Sequence, residues 1–168
     1  DRTSGAPHEE DKGVPGRLDT SMEMELLGAL SAGDQAAIAE VLGRAKQALN
    51  IASQSPETYM RTLDPLQAPL VAIADGRPEL ARQTMGAMWN DPSVDRAIWL
   101  QRQYACQGLA LAGAAKEATD CLRDALEKPS GAWHFWEPHI AFYNPIRDSA
   151  EFQSLWQELI DDGWIASQ

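Results

Sequence analysis

Three glycines constrain this chain more than any other residues, because the same apolar spacing follows each of them. Positions five, nine and twelve after Gly33 are Ile38, Leu42 and Ala45; after Gly76 they are Ala81, Met85 and Met88; after Gly113 they are Ala118, Leu122 and Ala125. Steps of four and three place each trio on one face of an α-helix. Glycine reaches the left-handed conformation that ends a helix at no steric cost, so each of the three reads as the turn of an antiparallel helical hairpin. The glycines stand 43 and 37 residues apart, and their shared offsets favour a stack of hairpins over three unrelated ones.

The best-formed unit runs from Val94 to Pro129. Its first helix carries Ile98, Ala105, Leu109 and Ala112 at offsets of seven, eleven and fourteen, and its second Ala118, Leu122, Ala125 and Leu126. Alanine at 105 and 118 lets the helices approach closely, Leu109 and Leu122 fill the seam, and Pro129 terminates the second arm. An earlier unit spans 22–52, where Leu26, Leu27 and Leu30 form a short helix, Ser31-Ala32-Gly33 breaks it, and Asp34 caps a second helix predicted to reach about Ala52. Another spans 56–90. There Ser55 precedes Pro56 as a cap, Leu63, Leu66, Leu70 and Ile73 form a stripe that Pro65 and Pro69 must kink or restart, and Asp75-Gly76-Arg77-Pro78 makes the turn.

The remaining stretches set the boundaries. Residues 1–20 hold Gly5, Pro7, Gly13, Pro15 and Gly16 without apolar periodicity, which reads as a flexible linker or arm ahead of a helical domain over 21–168. A chain that opens on Asp1 without methionine is expected to be a processed product or part of something longer. In 132–162 a capping segment is expected: Asp148 caps a helix with Glu151 in its first turn, and Phe152, Leu155, Trp156 and Leu159 form a stripe that seals the end of the last hairpin.

Several function classes recede on composition and spacing. A net charge of −11, from 14 Lys and Arg against 25 Asp and Glu, argues against direct nucleic-acid binding and fits either solubility or a basic partner. No apolar run is long enough to span a membrane. His134 and His139 are five apart, whereas ligation on one helix face needs three or four, so no metal site is expected. Asp161-Asp162 and Glu9-Glu10-Asp11 read as solvated charge, and with no nucleophile motif or phosphate loop the chain is expected to be neither an enzyme nor a cofactor protein. Cys106 and Cys121 lie on opposite arms of one hairpin; they could face each other as a disulfide in an oxidising compartment or serve as two small buried thiols.

The third hairpin resembles the tetratricopeptide repeat family, whose helical pairs use a small residue midway along the first helix, a glycine at the turn and an alanine opening the second. Gly113, Ala118, Leu122, Ala125 and Pro129 carry the match; it is fair over Leu63 to Pro92 and thin over Met22 to Leu49, where Ile38 stands in for the alanine. Leu109 replaces the aromatic of strict repeats. The run from Pro138 to Trp156, with Phe142, Tyr143, Pro145, Ile146, Arg147 and Phe152, is similar to the terminal element of tetratricopeptide modules in bacterial signalling proteins; Arg147 is expected to bond its own loop or a neighbouring helix end.

This resemblance implies an all-α fold of antiparallel hairpins stacked as a short right-handed α-α solenoid. It also implies a non-catalytic protein–protein interaction or sensory module, the C-terminal part of a larger bacterial regulator. Membrane-anchored transcription regulators with a winged-helix domain are the type in view, which suggests a periplasmic location, with the cytoplasm as the other outcome. In such a fold the first helices line a groove for a protein or peptide, and Gln103, Tyr104 and Gln107 either face it or form an ordinary solvent face. Family members that clamp a peptide carboxylate use paired Lys and Asn, for which this chain has too few lysines. Trp133, Phe135 and Trp136 form the densest aromatic cluster, either core of the last pair or, through Trp133 and Trp136, a partner-facing edge. The alternative function is a small-ligand sensor with its pocket among the aromatics of 133–143, and self-association into a homo-oligomer is open.

Overall fold

A computed structural model describes residues 16–64, 67–91, 99–127 and 137–166 of the chain, without the side chains of 99–103. Among these residues the chain is all-α and has no strand. Its α-helices are α1 (Thr20–Ala32), α2 (Gln35–Ala48), α3 (Pro56–Tyr59), α4 (Ala68–Ala74), α5 (Pro78–Asn90), α6 (Trp99–Leu111), α7 (Ala115–Glu127) and α8 (Ala150–Asp161), with 3-10 segments at Glu137–His139 and Ala141–Ile146.

The helices pack in pairs, α1 with α2, α4 with α5 and α6 with α7, and further contacts link α2 to α4, α5 to α6 and α7 to α8. At the three recurrent glycines φ is 66°, 73° and 72°, which a side chain would make costly. The turn after α6 shows the closure: Gly113 N–H donates to Ala110 O at 2.9 Å and Ala114 N–H to Leu109 O at 3.0 Å. Asp34 caps α2, its Oδ1 accepting from the Ala36 and Ala37 amides at 3.1 Å each.

Four boundaries differ from the sequence expectation. Leu18, assigned to the arm, is 4% exposed and belongs to the core, and Asp19 caps α1 by accepting from the Met22 amide at 2.9 Å; the chain is already packed before Thr20 because Gln67 pairs with the Leu18 backbone. The second helix stops at Ala48, short of Ala52, because Asn50 takes a left-handed φ of 55° and Ile51 N–H closes back on Lys46 O at 2.9 Å. Ser55 occupies the cap position of α3 but its hydroxyl pairs with that of Thr58 and the helix lasts only four residues; the restart expected from the prolines does occur, at Ala68 with Pro69 in the first turn. Finally, Ser149, not Asp148, caps α8: its Oγ accepts from the Phe152 amide at 3.3 Å, and its extended ψ of 150° leaves Asp148 outside the helix. The expected start of the third hairpin at 94–98, and Leu66 of the second, lie outside the described residues.

The core forms two apolar clusters. One gathers Leu26 and Leu27 of α1, Val41 and Ala45 of α2, Tyr59, Leu63 and Val71, and includes Leu111 at the end of α6. The other gathers Met85 of α5, Leu109, Leu122 and Ala125, and continues through Tyr143, Ile146, Phe152, Leu155 and Leu159. The stripe expected to seal the last hairpin does so: Phe152, Leu155 and Leu159 are buried and Trp156 packs against them.

Candidate functional site

The segment 137–147 decides where a site can be, because it packs against both α6 and α1. Its first anchor is a buried carboxylate. Glu137, 2% exposed, accepts from Gln107 Nε2 at 3.0 Å and from the Tyr143 hydroxyl at 3.4 Å. Burial first, then the charge of Glu137, pushes the Tyr143 phenol well above its ordinary pKa, so it stays a donor to the carboxylate at any physiological pH.

The second anchor is Arg147. Its guanidinium donates to the carbonyls of Pro138 and Ile140 at 3.3 Å and of His139 at 3.4 Å, while its carbon centre lies 5.5 Å from the Phe152 ring and 5.8 Å from that of Trp156. A planar cation with five donors can tie three carbonyls and still cover two rings. The loop-bonding role expected for Arg147 is therefore what the geometry holds. A third link, Asn144 Nδ2 to Ser31 O at 3.4 Å, joins the segment to α1.

Against this frame the candidate binding residues separate. Gln107 is half-buried and spent on Glu137, so its amide faces the chain's own 137–147 segment and not an open groove. Tyr104 is half-buried; burial first, then the charge of Glu23, raises its phenol above the ordinary value. The side chain of Gln103 and the whole of Trp133, Phe135 and Trp136 lie outside the described residues, as does His134. His139 is exposed and sits edge-on to Trp156 with ring centroids 4.7 Å apart. Cys106 and Cys121 form a disulfide across α6 and α7, with Cα atoms 5.3 Å apart and both residues fully buried.

What the sequence reading missed is an open groove of about 410 Å³ between α1 and the Ala141–Ile146 segment. Met24, Leu27, Gly28 and Ala32 line it from α1, and Ala141 and Phe142 from the other side. Met24 is 59% exposed, a large apolar side chain standing beside a floor of glycine and alanine. Polar groups are sparse there: Asn144 lies at the rim, and the Ser31 hydroxyl has no hydrogen-bond partner among the described residues. Its volume and apolar lining fall within the range of sites that take a small apolar ligand or an apolar side chain. One sequence signal could have pointed to it, since Met24, Gly28 and Ala32 recur at fours along α1 on a face that α2 does not need.

Set against family models, curated proteins and solved structures, the chain finds no match.

Proposed function

We propose that this chain is a non-catalytic interaction module, a short stack of tetratricopeptide-like hairpins, in which the Met24–Phe142 groove receives an apolar side chain from a basic protein or peptide partner. The groove is the observation that carries this reading, and charge selects the occupant. Arg44, Lys46, Arg77, Arg82, Lys116 and Arg123 are each in an ion pair, and Arg147 is committed to carbonyls. A chain with net charge −11 carries an acidic surplus that attracts a cationic segment. The resemblance in 99–129 and 138–156 supports a place within a larger bacterial regulator. The buried Cys106–Cys121 bridge supports an oxidising compartment, hence the periplasm. Among the described residues no helix is long and apolar enough to cross a membrane.

The test is a displayed-peptide selection against the whole chain and against Gly28→Leu. A Cβ at Gly28 would meet nothing within 4 Å, so leucine fills the groove while improving helix propensity by roughly 0.8–1 kcal/mol. Enrichment of basic peptides with one large apolar residue, lost in this more stable variant, is the expected result. If no such peptide is enriched, or if Gly28→Leu binds the peptides unchanged, the reading fails. A small molecule seen bound by native mass spectrometry and released in Gly28→Leu would replace it with the sensor alternative.

A further inference from the structure

The sulfur atoms of this chain sit in unequal surroundings. It has five methionines and two cysteines. Both cysteines are tied up in the buried Cys106–Cys121 bridge, and neither is a free thiol. Met85 is 1% exposed and lies against Gly108, where a Cβ would come within 3.1 Å of its Sδ. Met22, Met60 and Met88 are partly buried against the two core clusters. Met24 stands open, 59% exposed on the wall of the groove. Side chains on a helix lean toward its N-terminus, so the residue placed to cover Met24 is the one a turn later. That residue is Gly28, where even an added Cβ would meet nothing within 4 Å.

The Met24 thioether is therefore the sulfur that a small peroxide reaches first. A lone pair on its Sδ attacks one oxygen of hydrogen peroxide and the O–O bond breaks. The sulfur gains that oxygen and loses two electrons, and the departing hydroxide takes up the remaining proton and leaves as water. The product is a polar, chiral sulfoxide, on a rung of sulfur oxidation that can be reversed. The groove offers the new oxygen no donor. The amides of α1 on this face are spent within the helix. Asn144 Nδ2 donates to Ser31 O. The Ser31 hydroxyl lies seven residues on from Met24, about 10 Å along the axis. An empty groove leaves the sulfoxide to water, whereas an apolar occupant would strand a strong acceptor.

We infer that Met24 is a modification site that switches the groove: its thioether admits an apolar occupant and its sulfoxide excludes one. The switch rests on the groove reading of the proposed function, and two readouts keep them apart. The whole chain, labelled with ¹³C at the methionine methyls and with ¹⁵N, is treated with hydrogen peroxide. The Met24 methyl, assigned with Met24→Leu, is expected to convert to its sulfoxide before those of Met22, Met60, Met85 and Met88, and urea should abolish that order. The probe for the groove is acetyl-Lys-Leu-Lys-amide, followed at the Gly28 amide resonance. Its binding to chain oxidised at Met24 is expected to be weaker by roughly tenfold. In Met24→Leu, peroxide should not alter the affinity that the variant starts with. Met24 oxidising no faster than Met22, an oxidised chain that binds as the reduced one does, or a peroxide effect that persists in Met24→Leu overturns the switch and leaves the groove reading standing. A reduced chain that binds no probe overturns both.

Discussion

Replacing Cys106 and Cys121 together by alanine tests how far the third hairpin depends on its bridge. The disulfide joins residues 15 apart, and closing a loop of that length removes about 3 kcal/mol of denatured-state entropy in the chain-entropy account. Two local terms modify this. Both cysteines are fully buried, so alanine also leaves a small void, costing about 1 kcal/mol more. Against that, the Gly113 turn and the Ala105, Leu109, Ala118 and Leu122 seam persist, and residual hairpin structure in the denatured chain reduces the entropic gain. A net loss of about 3 kcal/mol, with a urea slope of roughly 2 kcal/mol/M, moves the unfolding midpoint down by roughly 1.5 M. Far-UV circular dichroism in the absence of urea should be unchanged. Wild-type chain unfolded in urea with reductant and refolded in reductant loses the cross-link but keeps both thiols, so its midpoint should lie between those of oxidised wild type and the variant, whereas reductant added to the native chain should act slowly because the sulfurs must first be exposed. A midpoint shift below about 0.3 M would refute the reasoning. The bridge would then close a loop that packing already orders, and its support for an oxidising compartment would go with it.

Two further outcomes follow from particular contacts. Gln67, 3% exposed, accepts from Leu18 N–H at 2.7 Å and donates to Leu18 O at 3.3 Å and to Glu23 Oε2 at 2.6 Å; Gln67→Ala strands a buried carboxylate and a backbone pair and should cost about 3–5 kcal/mol by urea titration, with a loss under about 1 kcal/mol arguing that water replaces the amide. Hydrogen bonds from Arg82 and Arg123 lower the carboxyl pKa of Glu117 and Glu158 in the folded chain, so their stabilisation is complete above the ordinary carboxylate range near 4.3 and is lost as pH falls through the lowered values. Stability measured from pH 6 downward should therefore fall more gently in Arg82→Ala/Arg123→Ala than in wild type, and the difference should shrink in high salt.

The hairpins were legible because their signals are local. Gly33, Gly76 and Gly113 each sit at a left-handed φ, and Ala118, Leu122 and Ala125 are buried at the spacing read from the sequence. Leu18 was not legible, since its burial comes from an amide 49 residues away, and no composition rule anticipates that. Cys106 and Cys121 could be placed on facing arms, but whether thiols at that spacing bond is decided by helix rotation, which spacing alone does not fix. Gln107 shows the same limit. Polar Gln107 in an alanine- and leucine-rich helix reads as a solvent or groove position, yet it serves a buried glutamate 30 residues on. The groove itself is made by helices from opposite ends of the chain, joined by a contact spanning 113 residues.

That the groove has a firm far wall follows from the geometry of the Ala141–Ile146 segment. A 3-10 helix has three residues per turn, so side chains at i and i+3 fall on one side. Tyr143 and Ile146 share one side and are buried in the α6–α8 cluster, which leaves Phe142 turned toward the α1–α4 cluster, where it packs half-buried at the mouth of the groove. An α-helical segment of this length would have placed 142 and 146 on one side instead. The short 3-10 turn thus lets adjacent residues serve two clusters, and Arg147 with the Glu137–Tyr143 pair fixes it from either end. Under the proposed reading, an occupant of the groove would touch an element that both clusters of the core share.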